Sequence, residues 1–109
     1  PEIAGVGLTE QEAPGARIGK FPFAALGIAQ AMGELEGFIK VVADQTGKIL
    51  GVHIIGPEAN TLIGAATLCV KNGISVDQLA ETIQAHPSYP EGLQESALNT
   101  LKRSLHVPN

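Results

Sequence analysis

The side chains able to move protons or hold metals are few: three histidines, one cysteine and eleven acidic residues in 109. One pairing stands out. In Gln84-Ala85-His86-Pro87-Ser88-Tyr89-Pro90-Glu91-Gly92-Leu93 a histidine precedes a glutamate by five positions, with a proline after the histidine and another before the glutamate. On one continuous helix that spacing is about 500°, which leaves the two side chains roughly 140° apart and unable to meet. Pro87 also opposes such a helix, because it disfavours the α conformation at His86 and has no N–H to donate. His86 on an extended or turn segment, with a helix starting at Ser88, folds the imidazole back toward the carboxylate instead. A carboxylate bonded to one ring nitrogen fixes the tautomer, favours the imidazolium and leaves the other nitrogen for a substrate proton. Histidine titrates close to neutrality, so such a pair passes protons at physiological pH. Ser88-Tyr89-Pro90-Glu91 is equally a capping box, with Glu91 reaching back to the Ser88 amide. The two roles are compatible.

The remaining candidates read as structure. His53 lies between Val52 and Ile54, the setting of a partly buried strand histidine with a hydrogen-bond partner. His106 falls in a terminal stretch where solvation is the default. No two histidines have metal-ligand spacing and one cysteine cannot build a zinc site, so no metal is expected. Cys69 falls on the apolar face of a helical pattern and reads as a buried, inert thiol. Despite 13 glycines there is no dinucleotide fingerprint, Walker pattern or nucleophile elbow, so the chain itself is expected to hold no cofactor.

The elements that must position His86 and Glu91 follow from periodicity. Ile3 to Leu8 suggests a buried, glycine-rich strand closely approached by another backbone. Thr9-Glu10-Gln11-Glu12 fits a capping box for a brief helix that Pro14-Gly15 ends. Ile18 to Ala25 reads as a second strand, with Phe21 and Phe23 on one face and Pro22 marking an edge or irregularity. Leu26 to Gly33 is open between strand continuation and a short helix. Gly37 to Ala43 and Lys48 to Ile55 form an antiparallel hairpin around Asp44-Gln45-Thr46-Gly47. Pro57 suits the first position of a helix whose face is Ala59, Leu62, Ile63, Ala66, Cys69 and Val70, stopped by Lys71-Asn72-Gly73. Ser75-Val76-Asp77-Gln78 caps a second helix with Val76, Leu79, Ala80 and Ile83 inward. The third starts at Ser88, presents Leu93, Ala97 and Leu101, and frays toward His106-Val107-Pro108-Asn109. Strands followed by helices predict an α+β domain, an antiparallel sheet with helices packed on one face.

Composition narrows the partners. The chain is long enough for one domain, residues 1–109, with a modest aliphatic core. Its charged fraction of 17% is low, which suits a domain keeping an apolar face for a partner. A net charge of −4 gives no basic footprint for nucleic acid or an anionic membrane. No apolar run approaches the ~20 residues of a membrane span. A single cysteine excludes an internal disulfide and fits a reducing, cytoplasmic setting. Starting at Pro1 in strand-like sequence, the chain reads as a piece of something longer.

At these residues the sequence resembles the C-terminal interface (dimerisation) domain of the pyridine nucleotide–disulfide oxidoreductases, in particular the dihydrolipoyl dehydrogenase branch. The resemblance runs along nearly the whole chain. It includes Pro1-Glu2-Ile3-Ala4-Gly5-Val6-Gly7-Leu8-Thr9, Gly37-Phe38-Ile39-Lys40-Val41, Gly51-Val52-His53-Ile54-Ile55-Gly56, and Ala85-His86-Pro87 followed by Glu91. It implies a homodimeric flavoenzyme using FAD and NAD, both bound by upstream domains together with the redox cysteines. It implies further that His86 is the base acting on the partner subunit's dithiol substrate, oriented by Glu91, with the backbone around His86 and Pro87 near the partner's flavin. Lipoyl-bearing proteins of 2-oxo acid dehydrogenase complexes are the implied partners, and these residues alone are expected to be inactive. Cys69 matches neither redox cysteine. Gln84 stands where many dihydrolipoyl dehydrogenases have histidine, and Leu26-Gly27-Ile28 where a polar residue and an arginine are common. Two other readings remain: the same domain of another disulfide reductase, such as glutathione reductase, and a non-catalytic self-association module.

Overall fold

The hairpin around Asp44 forms the middle of the sheet. In the computed structural model, which describes residues 2–102, β3 (Phe38–Ala43) and β4 (Ile49–Gly56) pair antiparallel. One oxygen of the Asp44 carboxylate accepts hydrogen bonds from the Thr46 hydroxyl at 2.6 Å and from the Thr46 and Lys48 amides at 2.9 Å. The Thr46 hydroxyl, then the Lys48 amide, hold its pKa below the usual aspartate value. The outer strands are β1 (Glu2–Gly7), beside β4, and β2 (Arg17–Pro22), beside β3, giving the order β1-β4-β3-β2.

The helices cover one face, as strand-then-helix order predicts. α2 (Ala59–Lys71) lies along β1 and β4, α4 (Glu91–Thr100) lies along β2 and β3, and α3 (Val76–Glu81) packs against α4. Cross-strand register sets Phe21, Ile39 and Ile54 side by side, with Val41 and Val52 in the next row, all fully buried. Gly19 continues that second row. A side-chain carbon there would come within 2.0 Å of the Ser96 carbonyl, so its absence is what lets α4 settle on β2. The opposite face carries Lys20, Lys40 and His53 in one row. Lys20 covers the Phe38 ring at 4.2 Å, and Lys40 pairs with Glu10 of the β1–β2 connection at 3.0 Å.

Several expectations need correction. β1 is an edge strand covered on one face only: Ala4 and Val6 pack against the core, whereas Ile3, on the face away from the helices, is 74% accessible. The Thr9–Glu12 box forms in both directions, at 2.9 and 3.2 Å, yet encloses turns and no helix, since Pro14-Gly15 leave no room for a second turn. β2 stops at Pro22 and passes into a 3₁₀ turn, Phe23–Ala25, with Phe21 and Phe23 both buried. The ambiguous stretch resolves as α1 (Gly27–Met32), ended by Gly33 at φ 71°, a left-handed cap suited to glycine. Pro57 lies before α2, which starts at Ala59 after Glu58 turns left-handed at φ 62°. The Ser75–Gln78 box caps α3 as read, but the helix ends at Glu81 and Ile83 emerges 92% exposed. α4 starts at Glu91, three residues after Ser88. The fraying expected toward His106 lies outside the described residues.

Candidate functional site

The turn Pro87–Pro90 carries the chain from α3 into α4 and brings His86 onto Glu91. The His86–Pro87 peptide is cis, and Pro90 occupies the N-cap without a side-chain cap of its own. Glu91 reaches back past the N-cap, to the amide of Ser88. Its Oε2 accepts from the Ser88 amide at 2.8 Å, while its Oε1 lies 2.8 Å from His86 Nδ1. The Ser88 hydroxyl donates instead to the Ala85 carbonyl, so the capping box is realised in one direction only. The cap and the histidine partner are therefore one carboxylate using different oxygens.

Burial divides this pair. The Glu91 side chain is 18% exposed and the His86 side chain 75% exposed, so the carboxylate is held within the fold and the ring projects outward. A carboxylate only accepts, so Nδ1 carries the proton toward Glu91 and the neutral ring keeps its lone pair at Nε2, on the far side. Two contacts steady the turn. The Tyr89 ring meets Phe23 edge-on, with centroids 5.9 Å apart, and so ties the turn to the core. A side-chain carbon on Gly92 would sit 2.6 Å from Ile39 Cδ1, so glycine there lets the first turn of α4 approach β3 closely. Burial pushes the Tyr89 phenol pKa upward, and the nearby Glu34 and Glu58 charges add to that shift.

His86 and Glu91 form one wall of an open groove of about 260 Å³. The other wall is Ala25, Leu26, Gly27 and Gln30, from the 3₁₀ turn and α1. The Gln30 amide is already committed to the Ala24 carbonyl at 2.9 Å. Sequence reasoning missed this wall. The residue types at 25–30 do not mark them as site-forming, although Leu26-Gly27-Ile28 departs from the family pattern, and they reach His86 because Leu26 packs beside Gly92 at the start of α4.

The other candidates stay apart. His53 Nε2 lies 2.9 Å from the Leu8 carbonyl, the partner expected of a half-buried strand histidine. Glu12 sits near it, its pKa held below the usual range chiefly by the Thr9 amide and hydroxyl. Cys69 is half-buried, and burial pushes its thiol pKa upward, away from nucleophilic chemistry. Among the described residues no group of three or more histidine, cysteine or acidic side chains is placed to hold a metal. His106 lies outside the described residues.

With this geometry in hand, relatedness decides the family. The pyridine nucleotide-disulphide oxidoreductase dimerisation domain matches residues 1–97. The chain belongs to that family. It is 48% identical to a dihydrolipoyl dehydrogenase of Thermus scotoductus, over 100% of this chain and 25% of the relative. It is 43% identical to that of Bacillus subtilis, over 97% of this chain and 23% of the relative. The chain thus spans about a quarter of the length of these curated relatives. Among solved structures, LpdA of Mycobacterium tuberculosis superposes with a TM-score of 0.83 at 30% identity, covering 89% of this chain and 22% of that one. The HOCl-induced flavoprotein disulfide reductase RclA of Escherichia coli gives 0.77 at 28% identity, covering 84% and 22%. The fold is therefore that of the dimerisation domain of dihydrolipoyl dehydrogenase-like disulfide oxidoreductases.

Proposed function

We propose that this dimerisation domain supplies the acid–base pair His86–Glu91 to a dihydrolipoyl dehydrogenase-type site built across a homodimer. The observation that carries the reading is the split use of the Glu91 carboxylate. Capping the Ser88 amide occupies Oε2 alone, whereas the Oε1 contact orients an exposed imidazole and adds little as a cap. In this reading His86 Nε2 takes the proton from a dithiol of the substrate, and the resulting imidazolium is stabilised through Nδ1–H by Glu91. The dithiol is a dihydrolipoyl group carried by a protein of a 2-oxo acid dehydrogenase complex, and the setting is cytoplasmic.

FAD and NAD belong to the upstream domains in this reading. The residues of this chain do not fit a dinucleotide. Its β4–α2 connection, where a phosphate would meet a helix N-terminus, is Gly56-Pro57-Glu58, a single glycine followed by a carboxylate at the N-cap. Accordingly the 109 residues alone are proposed to be inactive as a dehydrogenase. The test is His86→Gln in the flavoprotein that carries this domain. Oxidation of dihydrolipoamide should fall about 10²–10⁴-fold, the usual contribution of a general acid–base group. Turnover within twofold of the parent, about what a bystander residue would leave, would return the turn to a capping role.

A further inference from the structure

The stretch that carries His86 is held by hydrogen bonds more than by burial. Ala85, His86 and Pro87 are exposed, whereas Ser88 to Glu91 are half-buried and Gly92 and Leu93 are buried. Ser88 stands at that boundary and donates in both directions. Its hydroxyl goes back to the Ala85 carbonyl, and its amide goes forward to Glu91 Oε2 at 2.8 Å. In a four-residue turn such as Ala85 to Ser88, the amide of the last residue is the usual donor to the carbonyl of the first. Here the hydroxyl makes that bond, and the amide is left for the carboxylate. A capping serine turns its oxygen forward, to accept from an amide of the helix. This one turns back and donates.

We propose that Ser88 is a positioning residue for His86. By occupying the Ala85 carbonyl, its hydroxyl frees the Ser88 amide to hold Glu91, whose Oε1 lies 2.8 Å from His86 Nδ1. Without the hydroxyl, one N–H faces two acceptors, the Ala85 carbonyl and the carboxylate. If the amide closes the turn, it leaves Oε2, and the carboxylate loses its aim on Nδ1. If the amide stays on Oε2, the Ala85 carbonyl is left to water, and the turn that carries the ring loosens. Either way the tautomer and direction of the imidazole are less firmly set. The proposal rests on the acid–base reading of His86 and deepens it by naming the group that fixes the geometry. The requirement is for a hydroxyl, so threonine should serve at this position and alanine should not.

The experiment measures kcat and KM for dihydrolipoamide in the flavoprotein that carries this domain. The variants are His86→Gln, Ser88→Ala, Ser88→Thr, Glu91→Ala and the double variant Ser88→Ala with Glu91→Ala, each checked for folding by thermal melting. Ser88→Ala should lower kcat about three- to tenfold, the span of one lost neutral hydrogen bond. KM should stay within about twofold of the parent, since the residue acts on the base and not on substrate binding. Ser88→Thr should restore kcat. In the Glu91→Ala background Ser88→Ala should cost nothing further, because the carboxylate through which it acts is gone. A kcat unmoved by Ser88→Ala, a loss carried by KM, no rescue by threonine, or a loss that adds in full to that of Glu91→Ala each overturns the role of Ser88 while leaving His86 in place. Turnover of His86→Gln within about twofold of the parent overturns the acid–base reading, and this proposal with it.

Discussion

Two stretches of this chain carry the same short pattern, a hydroxyl residue followed three positions later by glutamate, and each has a histidine beside it. At Thr9–Glu12 the bonds are reciprocal, Glu12 accepting from the Thr9 amide and Thr9 accepting from the Glu12 amide. The neighbouring histidine, His53, takes the Leu8 carbonyl as its hydrogen-bond partner. At Ser88–Glu91 only the glutamate half forms, and the spare oxygen takes His86. The partner decides the chemistry. A carbonyl can only accept, so His53 carries its proton on Nε2, at a backbone contact across the sheet. A carboxylate puts the His86 proton on Nδ1 and turns the basic nitrogen outward. The two rings are opposite tautomers, one half-buried and one exposed, although both sit beside a capping glutamate.

The largest effect should separate the two histidines directly. His86→Gln is expected to remove about 10²–10⁴ of dithiol turnover, with the melting temperature unchanged. His53→Gln should do the reverse, costing about 1 kcal/mol in urea denaturation through the weakened Leu8 contact and leaving turnover intact. A loss of turnover with His53→Gln at full stability would erase the distinction.

Next comes the packing that confines His53. A side-chain carbon at Gly5 would lie 2.7 Å from His53 Nδ1, so Gly5→Ala must push the ring off the Leu8 carbonyl. A loss of about 1–3 kcal/mol is expected, as for overpacking elsewhere, measured by urea denaturation. An unchanged midpoint would mean that the ring yields freely.

The two glutamates should differ more gently. Glu91→Gln keeps an oxygen for the Ser88 amide but presents its NH2 donor to His86 Nδ1, which favours the tautomer with the proton on Nε2 and costs about one hydrogen bond to reverse. Turnover should drop about tenfold, less than with His86→Gln. An equal loss in both variants would mean that the turn itself had collapsed, which a proton NMR spectrum would reveal. The smallest effect is at Glu12, whose folded pKa is depressed by the Thr9 amide and hydroxyl. A depressed acid stabilises fully above its unfolded value and loses that contribution as pH falls through the folded one. Melting temperature should therefore fall slightly on acidification from near pH 4.5 downward, and Glu12→Gln should flatten part of that fall. A variant that follows the parent throughout would show that the box contributes nothing measurable.

Much of this architecture was legible locally. The Val/Ile-rich hairpin, the Ser75 cap and the aliphatic face of α2 follow from patterns whose causes lie within a few residues. The failures share a cause too. β1 read as buried because its composition is apolar and glycine-rich, yet burial depends on what covers each face, and α2 covers only the face of Ala4 and Val6 and leaves Ile3 exposed. Ile83 read as the inner face of α3, but the helix ends before it and the chain turns outward.

By itself the sequence determined that His86 and Glu91 cannot share a helix face, since Pro87 and five-residue spacing forbid it, and that Glu91 would reach back to Ser88. Those are short-range consequences of backbone stereochemistry and hydrogen-bond geometry. The groove wall of Ala25, Leu26 and Gly27 was decided only by tertiary packing. Residues some sixty positions before His86 reach it because Phe23 is buried in the core and meets Tyr89 edge-on. No local pattern encodes that approach: it follows from filling one core with the sheet, the 3₁₀ turn and α4 together.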